Sequence, residues 1–257
     1  MTWTRATVVE QVRLGGGNYC LRIAAPDVAA AARPGQFVEL STGGATLLNK
    51  PISIAQADAA AGTITLVYKV VGPGTRAFSA YRAGGEVMLL GPCGNGFAPV
   101  AGRAYAVGGG IGIPPMLFLV ARHAGEAAFD VLLGARTQED LVLVQEFTEV
   151  NGRAPALITD DGSSGRRGYV TELLDEMLRK AAAPVYACGP VPMLTRVAAL
   201  ARAHKVPCFV CLEAYMGCGI GVSMGCVVPT VRGMERVCRE GPVFDAADIA
   251  WDALGDA

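Results

Sequence analysis

An excess of charge of either sign is missing from this sequence: 22 Lys and Arg stand against 23 Asp and Glu among 257 residues, a formal charge of −1. That balance leaves no basic stripe for nucleic acid and no polybasic segment for anionic lipid. Long apolar runs are missing as well. A membrane span needs about 20 uninterrupted apolar residues, and the strongest stretch, 105–120, is broken by Gly108-Gly109-Gly110 and Pro114-Pro115. Histidine is scarce: His123 and His204 both fall near expected helix ends and read as solvated. No Ser/His/Asp set, paired-carboxylate signature or P-loop is visible. The opening MTWTRATVVEQVRL passes directly into strand-like alternation, without the pattern of a secretory leader. These absences predict a cytoplasmic chain with no nucleic-acid and no membrane partner. Hydrophobic content of 52% with 18% charge excludes disorder.

What is present is cysteine, and it is unevenly placed. Cys20, Cys93 and Cys188 are scattered, whereas Cys208, Cys211, Cys218, Cys226 and Cys238 crowd the last fifth. A disulfide scaffold suits short secreted chains; in a chain of this length the crowding points to metal or redox chemistry.

The first hundred residues read as all-β. Runs at 7–13, 19–23, 36–40, 51–54, 63–71 and 86–90 are rich in Val, Ile, Thr and Tyr, and turn residues separate them. Strands at this spacing predict a small barrel or a sandwich. Beyond residue 100, apolar strands at 104–107, 131–133, 156–159 and 185–187 alternate with helical stretches at 115–123, 170–180 and 191–204. That alternation predicts a parallel sheet covered on both faces. Residues 208–212 offer one more strand. Three segments result: a β domain over 1–99, an α/β domain over 100–206 and a cysteine-rich segment over 207–257.

Several motifs could carry chemistry. Gly108-Gly109-Gly110-Ile111-Gly112, followed by Ile113-Pro114-Pro115, joins a strand to a helix. Such a loop lets backbone approach a pyrophosphate at a helix N-terminus, although Ile113 stands where the dinucleotide fingerprint has its third glycine. A tight structural turn is the alternative. Lys50-Pro51-Ile52-Ser53 sets a cation beside a hydroxyl, and Gly72-Pro73-Gly74-Thr75 reads as a turn with free donors; each suits phosphate oxygens. Asp160-Asp161 follows a strand and suits ribose hydroxyls or a solvated turn.

Taken in order, these segments resemble the ferredoxin–NADP reductase superfamily. With Gly91-Pro92-Cys93-Gly94-Asn95-Gly96-Phe97, Gly134-Ala135-Arg136, Cys188-Gly189-Pro190 and the cysteine tail, they resemble more narrowly the electron-transfer subunits of NAD-dependent dihydroorotate dehydrogenases, over about 36–244. The resemblance implies a six-stranded antiparallel FAD-binding barrel, a parallel-sheet NAD-binding domain and a small 2Fe–2S appendage. By carry-over, Lys50, Pro51, Ile52, Ser53, Val67, Tyr68 and Lys69 meet the flavin, Lys50 standing where the family has arginine. Gly74 and Thr75 hold its phosphates, Gly108, Gly109, Gly110 and Gly112 take the dinucleotide, and Cys188, Gly189 and Pro190 seat the nicotinamide. The partner implied is an FMN-containing dihydroorotate-oxidising subunit, in a heterotetramer of two plus two within pyrimidine synthesis.

The family's tail pattern is C-x4-C-x2-C with a fourth cysteine beyond. Cys218, Cys226 and Cys238 occupy three of its places and Ser223 the remaining one, a harder donor than thiolate. A fourth thiolate from Cys208 or Cys211, a zinc site, and a tail without a cluster remain open alternatives. The resemblance also leaves open the small subunit of an NADPH:ferredoxin oxidoreductase or sulfide dehydrogenase. A further alternative is a non-catalytic nucleotide-binding module with a structural metal tail.

Overall fold

Alternation in the first third of the chain closes on itself. In this computed structural model, which describes residues 3–254, β1 (Trp3–Gly15), β2 (Asn18–Ala24), β3 (Phe37–Leu40), β4 (Lys50–Asp58), β5 (Thr63–Lys69) and β6 (Glu86–Cys93) form a closed barrel in the order β1-β2-β5-β4-β3-β6. The outer ends of the first and last segments, 1–2 and 255–257, lie outside the described residues. Every pairing is antiparallel, and Trp3 opposite Leu90 helps close the ring. Period-two alternation sends Leu21, Ile23, Ile64, Leu66 and Leu89 inward, all fully buried. Two short helices supply more of this core: α1 (Pro26–Ala31) adds Val28 and α2 (Pro73–Phe78) adds Phe78. The Gly72–Thr75 segment, expected as a turn, is therefore the first turn of a helix.

The α/β half contains β7 (Gly102–Gly109), α3 (Ile113–Arg122), β8 (Ala127–Ala135), α4 (Val144–Asn151), β9 (Ala156–Thr159), β10 (Arg166–Arg167), α5 (Val170–Lys180), β11 (Val185–Cys188), α6 (Val191–Ala203) and β12 (Cys208–Cys211). Its strands read as continuous apolar runs because both faces are covered. Along β7, Tyr105 and Val107 pack with α5 and α6, whereas Ala104 and Ala106 pack with α3 and α4. Helix α3 also packs on β4 and sends Phe118 into the barrel core, which joins the two halves.

Beyond β12 come a hairpin, β13 (Val227–Thr230) with β14 (Gly233–Arg236), and β15 (Val243–Asp245). The sheet order is β10-β9-β8-β7-β11-β12-β15, with β15 antiparallel to β12. Two expectations change here. The sheet is parallel except for this edge strand, and it runs across residue 207, because β12 and β15 both belong to it. His123 also differs from expectation, being 7% exposed at the end of α3. No helix among the described residues is long and apolar enough to cross a membrane.

Candidate functional site

Lys50 opens β4, and its carbon stem lies over Gly74 in the first turn of α2. A Cβ on Gly74 would meet Lys50 Cε at 2.5 Å and Thr42 Cγ2 at 3.3 Å. The missing side chain thus brings a cation beside the start of a helix, a combination suited to a phosphate. The Thr75 hydroxyl accepts from Val71 N at 3.0 Å and Gly72 N at 3.3 Å, which caps α2. Pro51, Ile52 and Ser53 continue along β4 opposite Glu39, Val38 and Phe37. Val67 faces the dinucleotide half. On β5 beside it, the side chains of Tyr68 and Lys69 have protein partners. The Tyr68 ring is buried in the barrel between Tyr19 and Phe78, with its hydroxyl donating to Gln11 at 2.9 Å. Burial pushes that phenol well above its usual range. Lys69 is turned to Asp140 of the dinucleotide half, at 2.5 Å.

At the carboxyl end of the sheet, β7 ends in Gly108 and Gly109, and Gly110 to Gly112 turn into α3. Chain connections leave β7 and β11 in opposite directions, so a crevice opens there. Packing accounts for most of the glycines. A Cβ on Gly109 would overlap Met193, one on Gly112 would overlap the Cys188 carbonyl and Gly189 amide, and one on Gly108 would press on Ile113 Cα at 3.0 Å. Gly110 is different: φ is +54° and nothing lies within 4 Å. Gly112, expected to lie against the pyrophosphate, turns its Cβ direction into a seam between α3 and β11, and Gly110 is the open glycine of the loop. Cys188 borders the same seam. Its thiol is fully buried, bonded to Cys211 on the facing strand, and raised well above its usual pKa by that bond and by burial. It is a buried core thiol, while Gly189 and Pro190 lead into α6.

The loops after β8 and β9 meet at the same end. Asp161 accepts from Ser163 N at 2.9 Å and Oγ at 2.6 Å, and the hydroxyl bond foremost holds its carboxyl below the usual range. Ser163 Oγ in turn accepts from Gln138 N at 2.8 Å.

The tail gathers its four donors as two pairs. Cys218 Sγ accepts from Val222 N and Ser223 N, both at 3.3 Å, and is bonded to the Ser223 hydroxyl. Burial alone would raise this thiol, but those donors overcome it and bring it down to about 6, a thiolate at neutral pH. Cys226 and Cys238 are both buried and within hydrogen-bond reach of each other; burial first, and that contact second, push Cys238 up to about 12. Among the described residues no three His, Cys, Asp or Glu side chains gather as they would around one ion. Two pairs suit a two-iron cluster, which takes two donors per iron, so the residues present fit that group with one oxygen in the set. Cys208 and Cys211 pack into cores on opposite faces of the sheet, as a strand at 208–212 requires.

Sequence reasoning missed four residues. Glu39, on β3, is 2% exposed with an unpartnered Oε1. Burial, then the Cys218 charge, raise its carboxyl to about 7 against the pull of Lys50. A Cβ on Gly219 would collide with its side chain, so the cysteine loop rests directly on it. A lone Glu in an apolar run, Phe37-Val38-Glu39-Leu40, was the available signal. Glu213 follows β12 at an exposed position, and its charge reaches Cys188. Asn95 ties barrel to tail, donating to Glu240 O at 2.7 Å and Val243 O at 2.8 Å and accepting from Val243 N at 2.9 Å. The fourth is Asp140, the partner of Lys69.

A phosphate cradle on a closed barrel, a glycine crevice on an α/β sheet and paired sulfur donors on a C-terminal loop define a reductase of the ferredoxin–NADP reductase fold with an iron–sulfur segment. Residues 106–199 match the family described as the oxidoreductase NAD-binding domain, and 213–250 the iron–sulfur cluster binding domain of dihydroorotate dehydrogenase B. A Desulforamulus reducens protein named dihydroorotate dehydrogenase B (NAD(+)), electron transfer subunit, is 35% identical, over 96% of this chain and 98% of its own. The protein of that name from Enterococcus faecalis V583 is 39% identical, over 95% and 96%. A chain of the NADH-dependent reduced ferredoxin-NADP oxidoreductase structure, studied for flavin-based electron bifurcation, superposes with a TM-score of 0.86 at 30% identity, covering 97% of this chain and 91% of that one. The Neisseria gonorrhoeae ferredoxin NADP+ reductase with bound FAD and NADP shares the fold at a TM-score of 0.66 and 16% identity, over 79% of this chain and 92% of that one. The chain belongs to the family of dihydroorotate dehydrogenase B electron transfer subunits.

Proposed function

We propose that this chain carries electrons between a dihydroorotate-oxidising catalytic subunit and NAD, as the flavin- and iron–sulfur-bearing half of an oxidoreductase. The observation that carries the reading is the seat of the cysteine loop. Gly219 rests on Glu39 of β3, and β3 pairs with β4, whose first residue is Lys50. Candidate cluster donors and the candidate flavin cradle therefore share one edge of the barrel. When bound, FAD supplies the conversion between a hydride pair and single electrons, and a 2Fe–2S cluster carries those electrons one at a time.

The chain's own residues do the rest. Lys50 and the first turn of α2 hold the flavin phosphates. Gly110 admits a dinucleotide pyrophosphate against the N–H groups of α3, and Asp161 with Ser163 shapes the loop expected to meet its ribose. Cys218, Ser223, Cys226 and Cys238 hold the cluster, with Cys218 already a thiolate. The catalytic partner carries FMN, the assembly is two plus two, and the product enters pyrimidine synthesis. Ile220, Val222 and Met224 of the cysteine loop are exposed, which supports docking of that partner beside the cluster.

The test is co-expression with a candidate catalytic subunit and purification without oxygen, followed by flavin and iron quantification and assay of dihydroorotate-dependent NAD reduction. A co-purifying complex that reduces NAD supports the reading. A yellow protein that takes electrons from NADPH, passes them to ferredoxin and retains no partner supports the NADPH:ferredoxin oxidoreductase alternative. A colourless zinc protein would refute both.

A further inference from the structure

We propose that Asp140 is a positioning residue for hydride transfer, pinning the dinucleotide half to the flavin barrel through Lys69 and Asn18; the inference rests on the function proposed above. Asp140 lies in the turn after β8. Its Oδ1 accepts from Lys69 Nζ at 2.5 Å and from Asn18 Nδ2 at 3.2 Å. Asn18 is 3% exposed and also donates to the Gly15 carbonyl at 3.1 Å. The β1–β2 turn fits this joint closely, since a Cβ on Gly16, at φ +55°, would meet Asp140 Oδ1 and Glu139 O at 2.9 Å.

The same turn faces the other way as well. Gln138 N donates to Ser163 Oγ at 2.8 Å, and that hydroxyl donates to Asp161 at 2.6 Å. One three-residue segment, 138–140, therefore touches both the loop expected to meet the adenosine ribose and the end of the flavin-side strand β5. Hydride transfer requires reacting atoms about 3–3.5 Å apart, and a misplacement of about 1 Å can cost 100-fold. The two cofactors would sit on different halves of the molecule, so a charged joint between the halves governs that distance without touching either reacting atom.

The experiment is anaerobic stopped-flow reduction of the bound flavin by NADH, in the full chain, for the parent, Asp140→Asn, Asp140→Ala and the exchanged pair Lys69→Asp with Asp140→Lys. FAD content and Tm are measured alongside. The expected result is a limiting rate about tenfold lower in both single variants, FAD content unchanged, and most of the rate restored in the exchanged pair. Single variants as fast as the parent overturn the proposal. So does loss of FAD from Asp140→Asn, or an exchanged pair no faster than Asp140→Ala. A parent flavin that NADH does not reduce overturns the functional reading itself, and the positioning role with it.

Discussion

A methyl group on residue 112 would overlap the Cys188 carbonyl and the Gly189 amide, so glycine there serves the seam between α3 and β11. Gly110 has free space above it and a left-handed φ of +54°, which costs alanine about 1–2 kcal/mol of backbone strain. The two positions should separate. Gly112→Val is expected to unseat α3 and lose flavin and NADH response together. Gly110→Ala should fold, retain FAD and raise the KM for NADH, as thermal melting, flavin content and steady-state kinetics would report; a KM equal to the parent's counts against pyrophosphate at Gly110. Ser223 poses the other residue-scale question. Its hydroxyl already bonds to Cys218, so it stands where the missing thiolate would. Oxygen is a harder donor than sulfur and favours ferric iron. Ser223→Cys should therefore raise iron per chain after anaerobic purification and move the cluster's reduction potential upward. Equal iron content and potential in parent and variant would remove Ser223 from the donor set.

The cysteine loop, as an element, is held by a bracket at the end of β14. Arg236 pairs with Glu240 side-on through Nε and Nη2, and its Nη1 donates to Gly221 O at 2.7 Å. The Arg236 hydrogen bonds hold the Glu240 carboxyl down to about 2 from an ordinary 4.5. Because the folded value is the lower one, the contribution of this pair is complete above about pH 4.5 and fades as pH falls towards 2. Glu240→Gln should lower Tm by about 2–4 °C at neutral pH, and the two melting curves should converge near pH 2; a constant difference across that range would show that the charge is irrelevant. Such brackets are not legible in advance. Strands 156–159 and helix 170–180 could be read residue for residue, because burial on both faces or along one stripe writes itself as an apolar period. α4 could not. It buries fully only Phe147 and is entered through Leu143 at a left-handed φ of 63°, so tertiary packing rather than pattern makes it a helix. β15 escaped for a related reason: three residues, Val243–Asp245, carry no period, and only their partner β12 makes them a strand. The site shows the same divide. Gly108–Gly112 and the four tail donors stand out as local motifs, whereas Glu39, Asn95 and Asp140 act through contacts far away in sequence.

On the scale of the whole molecule, the cysteine tail is part of the fold rather than an attachment to it. One hydrophobic cluster contains Phe37, Leu90 and Cys93 of the barrel, Tyr105 and Leu132 of the sheet, and Cys226, Cys238 and Phe244 of the tail. β12 and β15 complete the sheet, and Asn95 fastens the barrel to the backbone between 240 and 243. A chain ending at residue 206, the boundary the sequence suggested, would lose Val210, Leu212, Val237, Phe244 and Ile249 from that cluster. Each such side chain is worth about 1.5–3 kcal/mol when fully buried, so those five supply roughly 7–15 kcal/mol, as much as the whole net stability of an ordinary domain, about 5–15 kcal/mol. The truncated 1–206 chain is therefore expected not to yield a cooperative, FAD-retaining protein, even though its barrel and the first five strands of its sheet are all encoded. Calorimetry and flavin content decide the point. A sharp melting transition with full flavin from 1–206 would show that barrel and sheet stand alone, and that the tail is held to them for the sake of its cluster rather than for the fold.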